Sequence, residues 1–146
     1  MKLSTALFFA ACLIAGTAQA QNPHVPSASP PCPTAADTTP ADLYGLWRAE
    51  FAKLPQFATL LLEKHPELSD SLGGAISRDG VQARIVGDIE QGEFSLEESQ
   101  DGLQISAGWL GTVLATSCGK EIRGTWTDTT TRNAYPFVLR KLPDPR

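Results

Sequence analysis

The sequence predicts an all-β protein, an antiparallel up-and-down meander barrel of about eight strands, and three observations predict it. From Trp47 onward, apolar residues recur at every second position, the period of a strand with one buried face. Turn signals containing glycine, "RDG" at Arg78 to Gly80, "QG" at Gln91-Gly92, "QDG" at Gln100 to Gly102 and "CGK" at Cys118 to Lys120, separate the runs. Connections this short pair neighbouring strands antiparallel, and a meander with one buried face loses its two edges by closing on itself.

The first strand is expected over 45–52, where Trp47, Ala49 and Phe51 alternate with Arg48 and Glu50. A second is expected over 57–64. The segment 53–68, "KLPQFATLLLEKHPEL", also places helix formers around Leu60, Leu61 and Leu62, so a short helix capping one end of the barrel is the alternative there. Strands over 72–77 and 81–89 follow, the latter with Val81, Ala83, Ile85, Gly87 and Ile89 on one face. Phe94 and Leu96 alternate with Glu93, Ser95 and Glu97 over 93–98, and Leu103, Ile105 and Ala107 with Gln104 and Ser106 over 103–107. The runs 109–116 and 121–128 flank Cys118 and count as one strand or two, and 135–142 is the last. Within 108–126, Trp126 shares a face with Ile122, and Gly45, Gly108 and Gly124 near the tryptophans fit strand twist, room for an indole, or a low backbone around a pocket.

Ahead of the barrel domain, residues 43–142, lie two segments of different composition; residues 143–146 form a short tail. Residues 1–20 have a lysine at position 2, an apolar run and Ala18-Gln19-Ala20 as a small-x-small cleavage site, which reads as a secretory signal peptide. Cys12 reads as part of that apolar run, which continues through Leu13 and Ile14, rather than as a lipidation site. Residues 21–42 hold six of the eleven prolines and few large apolar groups, so this arm is expected to be disordered or semi-rigid. Cleavage would leave 11 basic residues against 16 acidic ones, a net charge of −5 without a basic cluster, which argues against nucleic acid as a partner. No other run approaches the roughly 20 apolar residues of a membrane helix, so no transmembrane segment is expected in the mature chain.

Cys32 and Cys118 are then the two remaining cysteines, and a disulfide between them would clamp the arm to the barrel in a periplasmic or secreted protein. Neither has a second cysteine or histidine at ligand spacing, and no metal or cofactor is expected. His24 and His65 read as exposed groups. Catalytic motifs are missing: no paired-histidine metal motif, no Gly-x-Ser-x-Gly elbow, no phosphate-cradling loop. Glu97 and Glu98 are adjacent in a strand and point to opposite faces, which denies them an acid–base partnership.

Gly45-Leu46-Trp47 at the first strand, "GWLGTV" and "EIRGTW" in consecutive late strands and "YPFVLRK" near the end resemble the exported calycin-type barrels, in particular avidin-like and lipocalin-like proteins. The resemblance covers most of residues 43–141 and implies a ligand-binding barrel. After Trp47 stand Arg48, Ala49 and Glu50, without the polar pattern of the avidin family's biotin site. "PADLYGLW", Pro40 to Trp47, is similar to the way periplasmic inhibitors of secreted metalloproteases lead from an arm into their first strand.

The expected function is therefore non-enzymatic binding of a small apolar or amphipathic ligand in the barrel mouth, with Trp47, Trp109, Trp126, Phe94 and Phe137 as candidate contacts and an apolar interior face. The alternative is a protein-binding inhibitor acting through its arm or loops.

Overall fold

The computed structural model describes residues 32–144; the expected signal peptide, residues 21–31 with His24, and the last two residues lie outside that range. Eight strands follow one four-residue helix: α1 (Pro40–Leu43), β1 (Gly45–Phe51), β2 (Phe57–Lys64), β3 (Leu72–Arg78), β4 (Val81–Glu90), β5 (Glu93–Ser99), β6 (Ala107–Val113), β7 (Glu121–Asp128) and β8 (Ala134–Lys141). They form a closed barrel in chain order, every pair antiparallel, and β8 returns to β1 with Ala49 opposite Leu139. The hairpin turns at Asp79-Gly80 and Gln91-Gly92 have positive φ at both positions, the conformation that two-residue hairpins require.

The strand expected over 57–64 is β2, and the helical alternative for 53–68 is not taken: the one helix among the described residues lies earlier, at Pro40–Leu43. Leu60 and Leu62 point inward while Leu61 between them is 37% exposed, so three leucines in a row conceal a true alternation. Against expectation, residues 103–107 do not form a strand: β6 begins at Ala107, opposite Glu98, and 100–106 is the loop between β5 and β6. The Asp101 carboxylate accepts the N–H groups of Leu103 and Gln104, both at 2.8 Å, which winds the backbone into a turn and leaves Leu103 89% exposed.

The N-terminal segment closes one end. The described part of the arm, residues 32–42, is folded onto the barrel, and the expected disulfide clamps it there. Cys32 is bonded to Cys118 in the β6–β7 loop, Thr38 is buried against Gly119, and Leu43 is fully buried. Trp47 donates its Nε1–H to the Leu43 carbonyl at 2.7 Å, and Lys141, from the last strand, donates to the Asp42 carbonyl at 2.7 Å. The hydroxyl and N–H of Thr39 hold the Asp42 carboxyl below its ordinary range.

The inward residues fill what remains. Trp47, Ala49, Ala58, Leu60, Leu62, Leu72, Ile122 and Leu139 are fully buried and border no hollow inside the barrel; Trp109 is equally buried and borders only a concavity on the outer face. Eight strands enclose a space that side chains can fill. Glycine makes the fit possible at Gly111, where a Cβ would press on the Phe137 ring at 3.1 Å, and at Gly124, where it would overlap the Leu110 carbonyl oxygen.

Candidate functional site

The end opposite the N-terminal segment is formed by the C-terminal ends of β1, β3, β5 and β7 and their hairpin loops. Trp109 and Trp126 face each other on β6 and β7, and Phe51 packs on both, with ring centroids 5.4 and 5.7 Å away. Phe137 meets Trp109 edge-on at 4.8 Å, and Tyr135 lies 6.0 Å from Trp126. Into this aromatic cluster β5 projects Glu98, only 2% exposed. Its Oε1 accepts the indole N–H of Trp109 at 2.8 Å and that of Trp126 at 3.0 Å, and its Oε2 forms an ion pair with Arg78 Nη2 at 3.6 Å.

Arg78, the last residue of β3, lies across the mouth. Its guanidinium carbon is 4.4 Å from the Trp126 ring centroid and 5.8 Å from that of Phe51, so its charge rests on the negative faces of two rings. Nη1 is buried without a hydrogen-bond partner. Backbone donation from Thr131 holds the Asp128 carboxyl below its ordinary range, with Arg78's charge a smaller contribution. The space between Arg78, Glu98, Gln100, Val81, Ala83 and Ile76 measures about 10 Å³, close to the least that holds one water.

This arrangement corrects the expectation that the inward face is wholly apolar. Glu98 has the inward parity of Phe94 and Leu96, so alternation carried one step further reaches it. Arg78 has the parity of Ile76 but reads, in the sequence, as part of the "RDG" turn. Glu97 does point outward, opposite to Glu98. With one oxygen taken by two indoles and the other by a guanidinium, the Glu98 carboxylate is committed to holding the barrel end together.

The structure brings three candidate residues, Trp109, Trp126 and Phe137, into one cluster. Trp47 sits at the closed end under α1, and Phe94 lies on β5 opposite Gly111. All five are 5% exposed or less. His65 is half-buried: its Nδ1 accepts the N–H groups of Glu67 at 3.2 Å and Leu68 at 3.0 Å, so it caps its own turn. Among the described residues no group of three His, Cys, Asp or Glu side chains is placed to hold a metal, and no helix is long and apolar enough to cross a membrane.

Larger concavities lie outside the barrel. One of about 660 Å³ runs over β4 to β7, past Asp88, Glu90, Glu93, Leu110 and Arg123. A second, of about 400 Å³, adjoins it at Asp88, Ser95 and Leu110 and extends to Val86, Glu97 and Gly108. Leu110 is the ridge between them, 70% exposed.

No family model and no curated protein matches the chain. The eight-stranded closed antiparallel meander is compatible with a calycin-like barrel.

Proposed function

We propose that this is an exported, non-enzymatic binding protein that engages a protein partner with its outer surface, the barrel serving as a rigid support. The observation that carries this reading is the packed interior: the side chains best suited to hold an apolar ligand hold one another instead, and Arg78 bridges to Glu98 across the mouth. Export is supported by the Cys32–Cys118 disulfide, a bond that persists in oxidising compartments. A small apolar ligand in the mouth, the other function expected of such a barrel, would have to displace Arg78 from Trp126 and open a space of about 10 Å³ several tens of times over.

Titration of the mature protein with an apolar fluorescent probe, followed through tryptophan emission, tests the choice. The expected result is no saturable change. Saturable one-to-one quenching, lost when Trp109 or Trp126 is replaced, would return the function to the interior.

A further inference from the structure

The outward residues of the barrel fall into cross-strand rows, and the rows on its two sides differ in charge pairing. On β1, β8 and β7 a chain of ion pairs joins charges of both signs, although Arg48 and Arg140 are direct partners in the ladder: Arg48 with Glu50 at 3.3 Å, Glu50 with Arg140 at 3.4 Å, Arg140 with Glu121 at 3.1 Å, and Glu121 with Arg123. Among the outward residues of β4 and β5, Asp88, Glu90, Glu93 and Glu97 are acidic against one cation, Arg84, and among the described residues none of the four carboxylates forms an ion pair. Glu90 and Glu93 stand directly opposite each other in the ladder, a like-charge pairing that opposes the sheet.

Leu110 rises in the middle of the same face. In register with it are Ser95 on β5 and Thr125 on β7, both short, and the next outward residue along β6 is Gly108, with open space where its Cβ would stand. Val86, 42% exposed, borders the second concavity. The face is thus an apolar ridge between two hollows, edged by four carboxylates without ion pairs, while Arg123 in the first hollow is paired with Glu121.

We infer that this outer face of β4 to β7 is the docking surface of the proposed binding function, and that its occupant is a basic segment of a partner protein carrying an apolar side chain between lysines or arginines. Charge complementarity selects this occupant: a second copy would bring like carboxylates together, and an anionic membrane or nucleic acid would be repelled. The closed barrel has no free strand edge on the described chain, so the segment docks through side chains in the hollows beside Leu110 and not by adding a strand.

The inference rests on the proposed outer-surface function, and a titration separates the two. The probe is a pentapeptide of alternating lysine and leucine, added to the isotope-labelled mature protein and followed by amide chemical shifts, with an alternating glutamate and leucine pentapeptide as control. Saturable shifts should map to β4–β7 around Leu110, weaken with salt, and be absent with the acidic peptide. The double variant Glu90→Lys/Glu93→Lys and the single variant Leu110→Ser, all at exposed positions, should each weaken binding by about tenfold or more, while Glu63→Lys on β2 should leave it unchanged. No binding, shifts centred on another face, equal binding by the charge-reversed variant, or self-association through Leu110 in sedimentation would overturn the inference. Those results leave the packed interior as the ground for an outer-surface function; only entry of the apolar probe into the barrel removes that ground.

Discussion

Trp109 on β6 and Glu98 on β5 are joined inside the barrel by a 2.8 Å hydrogen bond from the indole Nε1–H to Oε1. Through Glu98 the same bond ties Trp109 to Trp126 and to Arg78, so one carboxylate connects β3, β5, β6 and β7. Replacing Glu98 with alanine leaves two indole donors without an acceptor and Arg78 without its counter-charge. The expected loss is about 3–5 kcal/mol, the range for breaking a buried charge pair. Glu98→Gln keeps the shape and one acceptor but no charge, and should lose less. Urea denaturation of both variants checks this, and equal losses would show that charge is not the larger part.

The expected mouth contacts can be weighed in the same way. If Trp109 is a packed core residue, as its lack of exposed surface indicates, Trp109→Ala should destabilise the protein by about 3–5 kcal/mol. A much smaller loss would indicate that the indole lines a space.

Leu103 provides the contrast. Read in sequence, it alternates with Gln104 as an inward residue does; in the fold it stands 89% exposed in a loop. Leu103→Ser should therefore change stability by less than about 0.5 kcal/mol. A loss of about 2 kcal/mol or more would place it in a packed strand.

These cases show how far alternation can be trusted. It identifies a strand where burial on one face is what keeps the residue types apart, as in β4 and β5. It fails at 100–106, because a loop held by a side-chain carboxylate can alternate without consequence, and it is ambiguous at Leu60-Leu61-Leu62, because an outward leucine breaks the polar half of the pattern. Glu98 and Arg78 have the inward parity but not the apolar character, and only the indole donors on other strands explain their burial. The outer face around Leu110 depends on the register between four strands, which places residues far apart in the chain in one row; no local pattern carries that information.

The disulfide joins residues 86 apart in sequence. In the chain-entropy treatment a loop of that length stabilises the fold by about 4–5 kcal/mol. Its removal in Cys32→Ser/Cys118→Ser should lower stability by up to that amount. The fastest-exchanging amides should then lie in residues 34–44, which the bond pins over Trp47. Unchanged exchange there would show that Leu43 and Lys141 hold the segment without the bond.

The loops at the mouth should respond to acid. Backbone N–H donation from Gln104 and Leu103 holds the Asp101 carboxyl below its ordinary value of 3.8, and donation from Thr131 does the same for Asp128. A carboxyl whose pKa is lower in the folded state contributes stability that is fully present above the unfolded value and is lost as pH falls through the folded one. The two loops are also tied together by Thr129, whose hydroxyl donates to the carbonyls of Ile105 and Ser106 at 2.9 and 2.8 Å. Both should loosen together below pH 3.8, while the closed end stays held by its disulfide. Amide exchange at Leu103, Gln104, Thr130 and Thr131 measures this, and it should accelerate on acidification beyond what the intrinsic exchange rate requires. If Asp101→Asn removes the acid response of residues 103–104 but leaves that of 130–131, the loops titrate separately; if it removes both, Thr129 transmits the change. A response unaltered by either Asp101→Asn or Asp128→Asn would assign the acid sensitivity to other groups.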